Sequence, residues 1–92
     1  MIRSIISTNE KCYLCGTNRW LECHHIMGGA NRGKSTKYGL VVYLCRFCHN
    51  EPPNGVHHNK QRMDLLRAEA QRRFEEVHPD LDWMKLFGKN YL

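Results

Sequence analysis

The sequence predicts a small α+β domain with a long helix in its second half, and three observations carry that reading. Two Cys-x-x-Cys pairs, Cys12/Cys15 and Cys45/Cys48, stand 29 residues apart. Two short β-prone segments, residues 19–24 and 40–44, lie between the pairs. After Pro52-Pro53, residues 56–77 place Met63, Leu66, Ala70, Phe74 and Val77 at helical spacing on one stripe.

The whole chain of 92 residues fits one domain, 1–92. A domain of this size gains little stability from its core alone, and a structural metal is a common remedy. The composition, 41% hydrophobic and 25% charged, is that of a globular chain. A net charge of +5 and a pI near 9.1 favour a polyanionic partner. The odd count of five cysteines, four of them in the two pairs, and the missing secretory leader argue for metal binding in a reducing compartment over a disulfide scaffold. The expected setting is therefore soluble and cytoplasmic. No segment approaches transmembrane length, so no membrane partner is expected.

Residues 1–10 read as a lead-in, with a short strand expected over 2–6. Gly16 follows Cys15, letting the chain turn so that amides face the sulfurs in a knuckle. Residues 19–44 then read as an antiparallel hairpin whose strands are joined by an exposed, Gly-rich basic loop, 27–37. Cys23, inside the first strand, is expected to be a buried small hydrophobe. No helix can cross Pro52-Pro53. The long helix over 56–77 ends at His78-Pro79, with Glu69 and Arg73 placed for an i,i+4 pair. Asp80 or Asp82 can cap a last short helix, about 81–87, stopped by Gly88.

Four thiolates on two knuckles suit one closed tetrahedral zinc, which holds shape and has no open position for substrate. Redox dithiols would use the same residues, but two pairs in so short a chain fit zinc better. The six histidines are then left for other chemistry. His24 and His25 are adjacent at a strand end and must point to opposite faces. One can ligate a metal while the other takes a proton from water. His49, beside the second knuckle, and His57 or His58, at the start of the long helix, can converge on the same point.

The run Gly28-Gly29-Ala30-Asn31-Arg32-Gly33-Lys34-Ser35 matches the phosphate-binding pattern G-x-x-x-x-G-K-[ST]. That motif works only where a helix follows and receives the phosphates. Residues 36–44 read as strand, so no nucleotide cofactor is expected. Arg32, Lys34 and Lys37 are assigned instead to a DNA backbone. Trp20, Tyr38 and Tyr43 can stack bases, but packing in the core or the hairpin is the expected use of each.

Cys-x-x-Cys, a strand ending His-His-Ile and then Leu-Cys-x-x-Cys-His together resemble the zinc-stapled, phage-type branch of the HNH endonucleases. That family has a treble-clef-like ββα-metal fold. The resemblance implies His25 as general base, with His24 and His49 as ligands of a catalytic metal. The Pro-Pro insertion moves the remaining ligand to His57 or His58, with His57 favoured. The family's middle asparagine is missing where Tyr38-Gly39-Leu40 stands, and Asn50 or Asn31 can replace it. The implied activity is DNA phosphodiester hydrolysis with a structural Zn²⁺ and a second divalent ion, Mg²⁺, Mn²⁺, Ni²⁺ or Zn²⁺. A non-catalytic zinc module that binds DNA or protein is the alternative. Substrate structure and oligomeric state are not legible in the sequence.

Overall fold

The computed structural model describes residues 3–92. It is a small α+β unit built on a two-stranded antiparallel sheet, β1 (Leu21–His25) and β2 (Val41–Cys45). Four α-helices follow the connections: α1 (Arg32–Tyr38), α2 (Arg46–Asn50), α3 (Lys60–Val77) and α4 (Trp83–Phe87). Short 3₁₀ turns at Gly29–Asn31 and Val56–His58 lead into α1 and α3.

The register pairs Leu21 with Cys45, Cys23 with Tyr43 and His24 with Val42. Strand alternation therefore sends His24 inward with Val42 and Leu44, and Cys23 outward with Tyr43. Cys23 is exposed, which corrects its expected burial. The expected lead-in strand falls partly on Ile2, outside the described residues. Residues 3–6 form no strand, although the Ile5 amide donates to Gly39 O at 3.0 Å.

The core gathers residues of α3, α4, β2 and the segments flanking the strands. Leu66, Ala70 and Phe74 are fully buried with Ile26, Leu40, Leu44 and Trp83. Met63 packs at the edge, and Val77 is 41% exposed, so the apolar stripe ends one turn earlier than expected. Gln71 is buried on the same helix. Its amide donates to Asn90 Oδ1 at 2.8 Å, and its carbonyl accepts from the Tyr91 amide at 2.7 Å. Those bonds satisfy a buried polar side chain and fasten the tail to α3. Asn59 caps α3 by accepting from the Arg62 amide, and Asp82 caps α4. Arg73 pairs with Glu76 at 2.9 Å and Arg72 with Glu69, replacing the expected Glu69–Arg73 pair.

The largest departure from expectation is α1. Residues 32–38 are helical where the sequence reads as basic loop and then strand. Gly39 is what ends the helix. Its φ of +71° is the left-handed cap conformation, and a Cβ there would lie 2.5 Å from Arg3 O. Trp20 also adopts a positive φ, +53°, at the entry to β1. For a bulky residue that conformation costs roughly 1 kcal/mol or more.

Candidate functional site

Two clusters of ligand-type side chains form, and α2 is common to both. Cys12, Cys15, Cys45 and Cys48 bring their sulfurs within 4.8 Å of one another. Gly16, at φ +82°, turns the first knuckle so that the Cys15 amide donates to Cys12 Sγ at 3.4 Å. Cys15 Sγ and Cys45 Sγ are 3.7 Å apart. A tetrahedral zinc with bonds of about 2.3 Å needs sulfurs roughly 3.8 Å apart. Burial alone would raise the Cys12 thiol, but the amides of Cys45, Cys15 and Leu14 outweigh it and bring it down to about 6. Burial and the three neighbouring sulfurs push Cys48 up to about 12. Four such groups ionise together only around a cation, and this donor set can hold one.

The second cluster is His24, His49 and His57, whose ring nitrogens also lie within 4.8 Å of one another. His24 comes from the buried face of β1, His49 from α2 and His57 from the 3₁₀ turn before α3. His49 Nε2 and His57 Nε2 are 3.0 Å apart, and the His24 ring centroid is 5.0 Å from that of His49. His58 is exposed and outside the cluster, so the turn selects His57.

Burial holds the His24 imidazole down to about 3, with His49 and His57 adding to the effect, so it is neutral near pH 7. Its Nε2 is buried without a hydrogen-bond partner. An orphaned lone pair facing two further imidazoles is the surrounding a nitrogen-preferring cation would satisfy. Metal–nitrogen bonds of about 2.1 Å place bonded nitrogens roughly 3–4 Å apart, close to the spacing present.

Glu22 completes the arrangement, and sequence reasoning missed it. It lies two residues before His24 on the same face of β1, and its Oε1 is 2.8 Å from His49 Nδ1. With Nδ1–H donating to the carboxylate, His49 presents the Nε2 lone pair to the cluster. The Asn50 amide donates to the same Glu22 oxygen at 3.1 Å. Asn50 is thus beside the cluster as a support for Glu22. Asn31 precedes α1 and makes no side-chain capping bond. The alternation of residues 22 and 24 is the signal that could have found Glu22.

His25 points away from His24, with Nε2 3.1 Å from Thr36 Oγ1 on α1. Burial and then the Arg32 guanidinium lower its pKa. Arg32 and Lys37 are exposed on α1. Lys34 is not free in the same way: it donates to Leu86 O and lies 5.7 Å from the Phe87 ring. Ser35 is fully buried, donating to Met27 O at 2.7 Å and accepting from the Met27 amide at 2.9 Å. The expected strand after the glycine-rich motif is therefore corrected to a helix, but its lysine and serine are both engaged within the protein.

Comparison of the chain with protein-family models, with curated proteins and with solved structures finds no match. No helix among the described residues is long and apolar enough to cross a membrane.

Proposed function

We propose that this protein is a metal-dependent endonuclease of the HNH type that hydrolyses DNA phosphodiester bonds, with a structural zinc in the thiolate cluster. The observation that carries the reading is the split between neighbours on β1. His24 is buried in a three-histidine cluster with an unpaired nitrogen, while His25 turns outward beside the basic helix α1.

A divalent cation held by His24, His49 and His57 supplies Lewis-acid stabilisation of charge on a scissile phosphate. All-nitrogen ligation favours Mn²⁺, Ni²⁺ or Zn²⁺ over Mg²⁺. Glu22 orients His49, and Asn50 steadies Glu22. Where the Thr36 hydroxyl donates to Arg32 O, at 3.4 Å, it accepts from His25 Nε2–H. His25 Nδ1 then carries the lone pair that takes a proton from the attacking water. Arg32 and Lys37, both exposed on α1, contact the flanking phosphates.

The test is a plasmid-nicking assay across Mg²⁺, Mn²⁺, Ni²⁺ and Zn²⁺, with His25→Ala as control. Cleavage by the parent and its loss in His25→Ala, with metal content unchanged, is the expected result. No cleavage with any ion would leave the protein a zinc-stapled binding module and overturn the proposal.

A further inference from the structure

Trp20 and Phe47 form an exposed aromatic pair at the junction of β1 and α2. The rings meet edge to face with centroids 5.9 Å apart, and the side chains remain 59% and 51% exposed. Trp20 reaches this position through its left-handed backbone, φ +53°, against the steric preference of a bulky residue. The Arg46 amide donates to Trp20 O at 3.0 Å and fixes the strained residue to the first turn of α2. The Arg46 guanidinium lies 5.5 Å from the Phe47 ring, and exposed Arg19 precedes Trp20. An apolar protein partner would need neither cation. An exposed aromatic face rimmed by arginines can take a nucleobase and its phosphate, one ring stacking on the base while the other, at 81°, meets its edge.

We infer that Trp20 and Phe47 are a stacking platform for one unpaired nucleobase of the bound strand. Phe47 and His49 are two residues apart on α2 and so point about 200° apart around the helix. The platform therefore lies on the side of α2 away from His49, across the width of a helix from the three-histidine cluster. On the nuclease reading above, on which the substrate assignment rests, the preferred substrate carries an unpaired nucleotide a short way along the strand from the cleaved phosphate. Single strands, flaps and branch points have such a base available. An intact duplex must first unstack one.

The second tryptophan, Trp83, is 2% exposed, so Trp20 is the fluorophore that responds to a ligand. Titration of the zinc-loaded protein with a single-stranded oligonucleotide, without added divalent ion, should quench Trp20 emission. An unnicked duplex should quench it far less. Trp20→Ala and Phe47→Ala should each weaken single-strand binding by roughly five- to 100-fold, the loss of one base stack. Trp20→Phe should restore most of it, and both alanine variants should keep their zinc. The quenching arm needs no variant, so it stands whatever the variants do. Equal quenching by single strand and duplex, or none by either, would overturn the inference. An emission shift that follows protein concentration alone would mark a self-association surface and overturn it too. Cleavage without quenching would sink the platform and spare the nuclease. Quenching without cleavage in any metal would do the reverse, leaving a single-strand binding module.

Discussion

The Glu22 carboxylate lies 2.8 Å from His49 Nδ1, and this one contact decides which nitrogen of His49 faces His24 and His57. A carboxylate bound to a ligand histidine also raises the basicity of the ligating nitrogen. Glu22→Gln should therefore weaken metal binding at the histidine cluster by about 10- to 100-fold while the four-cysteine site keeps its zinc. Competition with a graded chelator series, read by metal analysis, measures both sites at once. Unchanged affinity at the histidines would remove Glu22 from the arrangement.

A metal held by the four cysteines would contribute to folding as well. Cys12 opens the chain's first knuckle, whereas Cys45 and Cys48 flank the turn into α2. Cys48→Ser should release the zinc and unfold most of the domain, since structural zinc in small modules supplies about 10 kcal/mol or more of folding free energy. Circular dichroism and zinc content should fall together. A folded, zinc-free variant with the parent melting temperature would contradict this.

His24 and His25 should fail in different ways. His24→Ala should lose activity that excess metal partly restores. His25→Ala should retain metal and lower turnover by roughly 10²–10⁴. The pH profile carries a sign. The base must be neutral, and burial with Arg32 holds the His25 pKa below its ordinary value of about 6.5. Activity should thus be present above that value and fall as pH drops through the lowered pKa, with an acid limb below about 6.5. The limb should disappear in His25→Ala.

The basic residues of α1 should separate into two groups. Arg32→Ala with Lys37→Ala should weaken DNA binding at every sequence and reduce the salt slope by about two charges' worth. Lys34→Met should act on stability instead, because its ammonium caps the Leu86 carbonyl. Salt-dependent binding isotherms beside melting curves distinguish the two effects. A Lys34→Met variant that melts like the parent and loses salt dependence would return Lys34 to the phosphate contacts.

Much of this architecture was legible in the residues because short-range rules enforce it. The two knuckles, the opposed directions of His24 and His25, the end of α3 before His78-Pro79 and the Asp82 cap of α4 follow from spacing, strand alternation and cap chemistry. The expected helix start at 56 is corrected to Lys60, because residues 56–58 form a separate 3₁₀ turn and Asn59 supplies the cap. Three features escaped for physical reasons. Residues 32–38 carry no apolar stripe, so their helix shows only in the cap at Gly39, which reads equally well as a strand start. Cys23 was assigned by residue type when its neighbour His24 had already taken the inward face. Glu22 reads as an ordinary surface carboxylate, and only the fold brings it to His49, 27 positions along the chain.

Helix α2 has five residues, too few to hold a helical shape in water unaided. Its form comes from Cys45 and Cys48, which belong to the thiolate cluster, and His49 follows at once. During synthesis, the last of the four clustered cysteines leaves the ribosome before the Pro-rich loop, and His57 leaves after it. The four thiols can thus gather while the histidine cluster still lacks a member. A chain stalled anywhere in that interval carries the whole cysteine set but cannot assemble the three histidines, so the order of the sequence itself delays the second cluster until the first is complete.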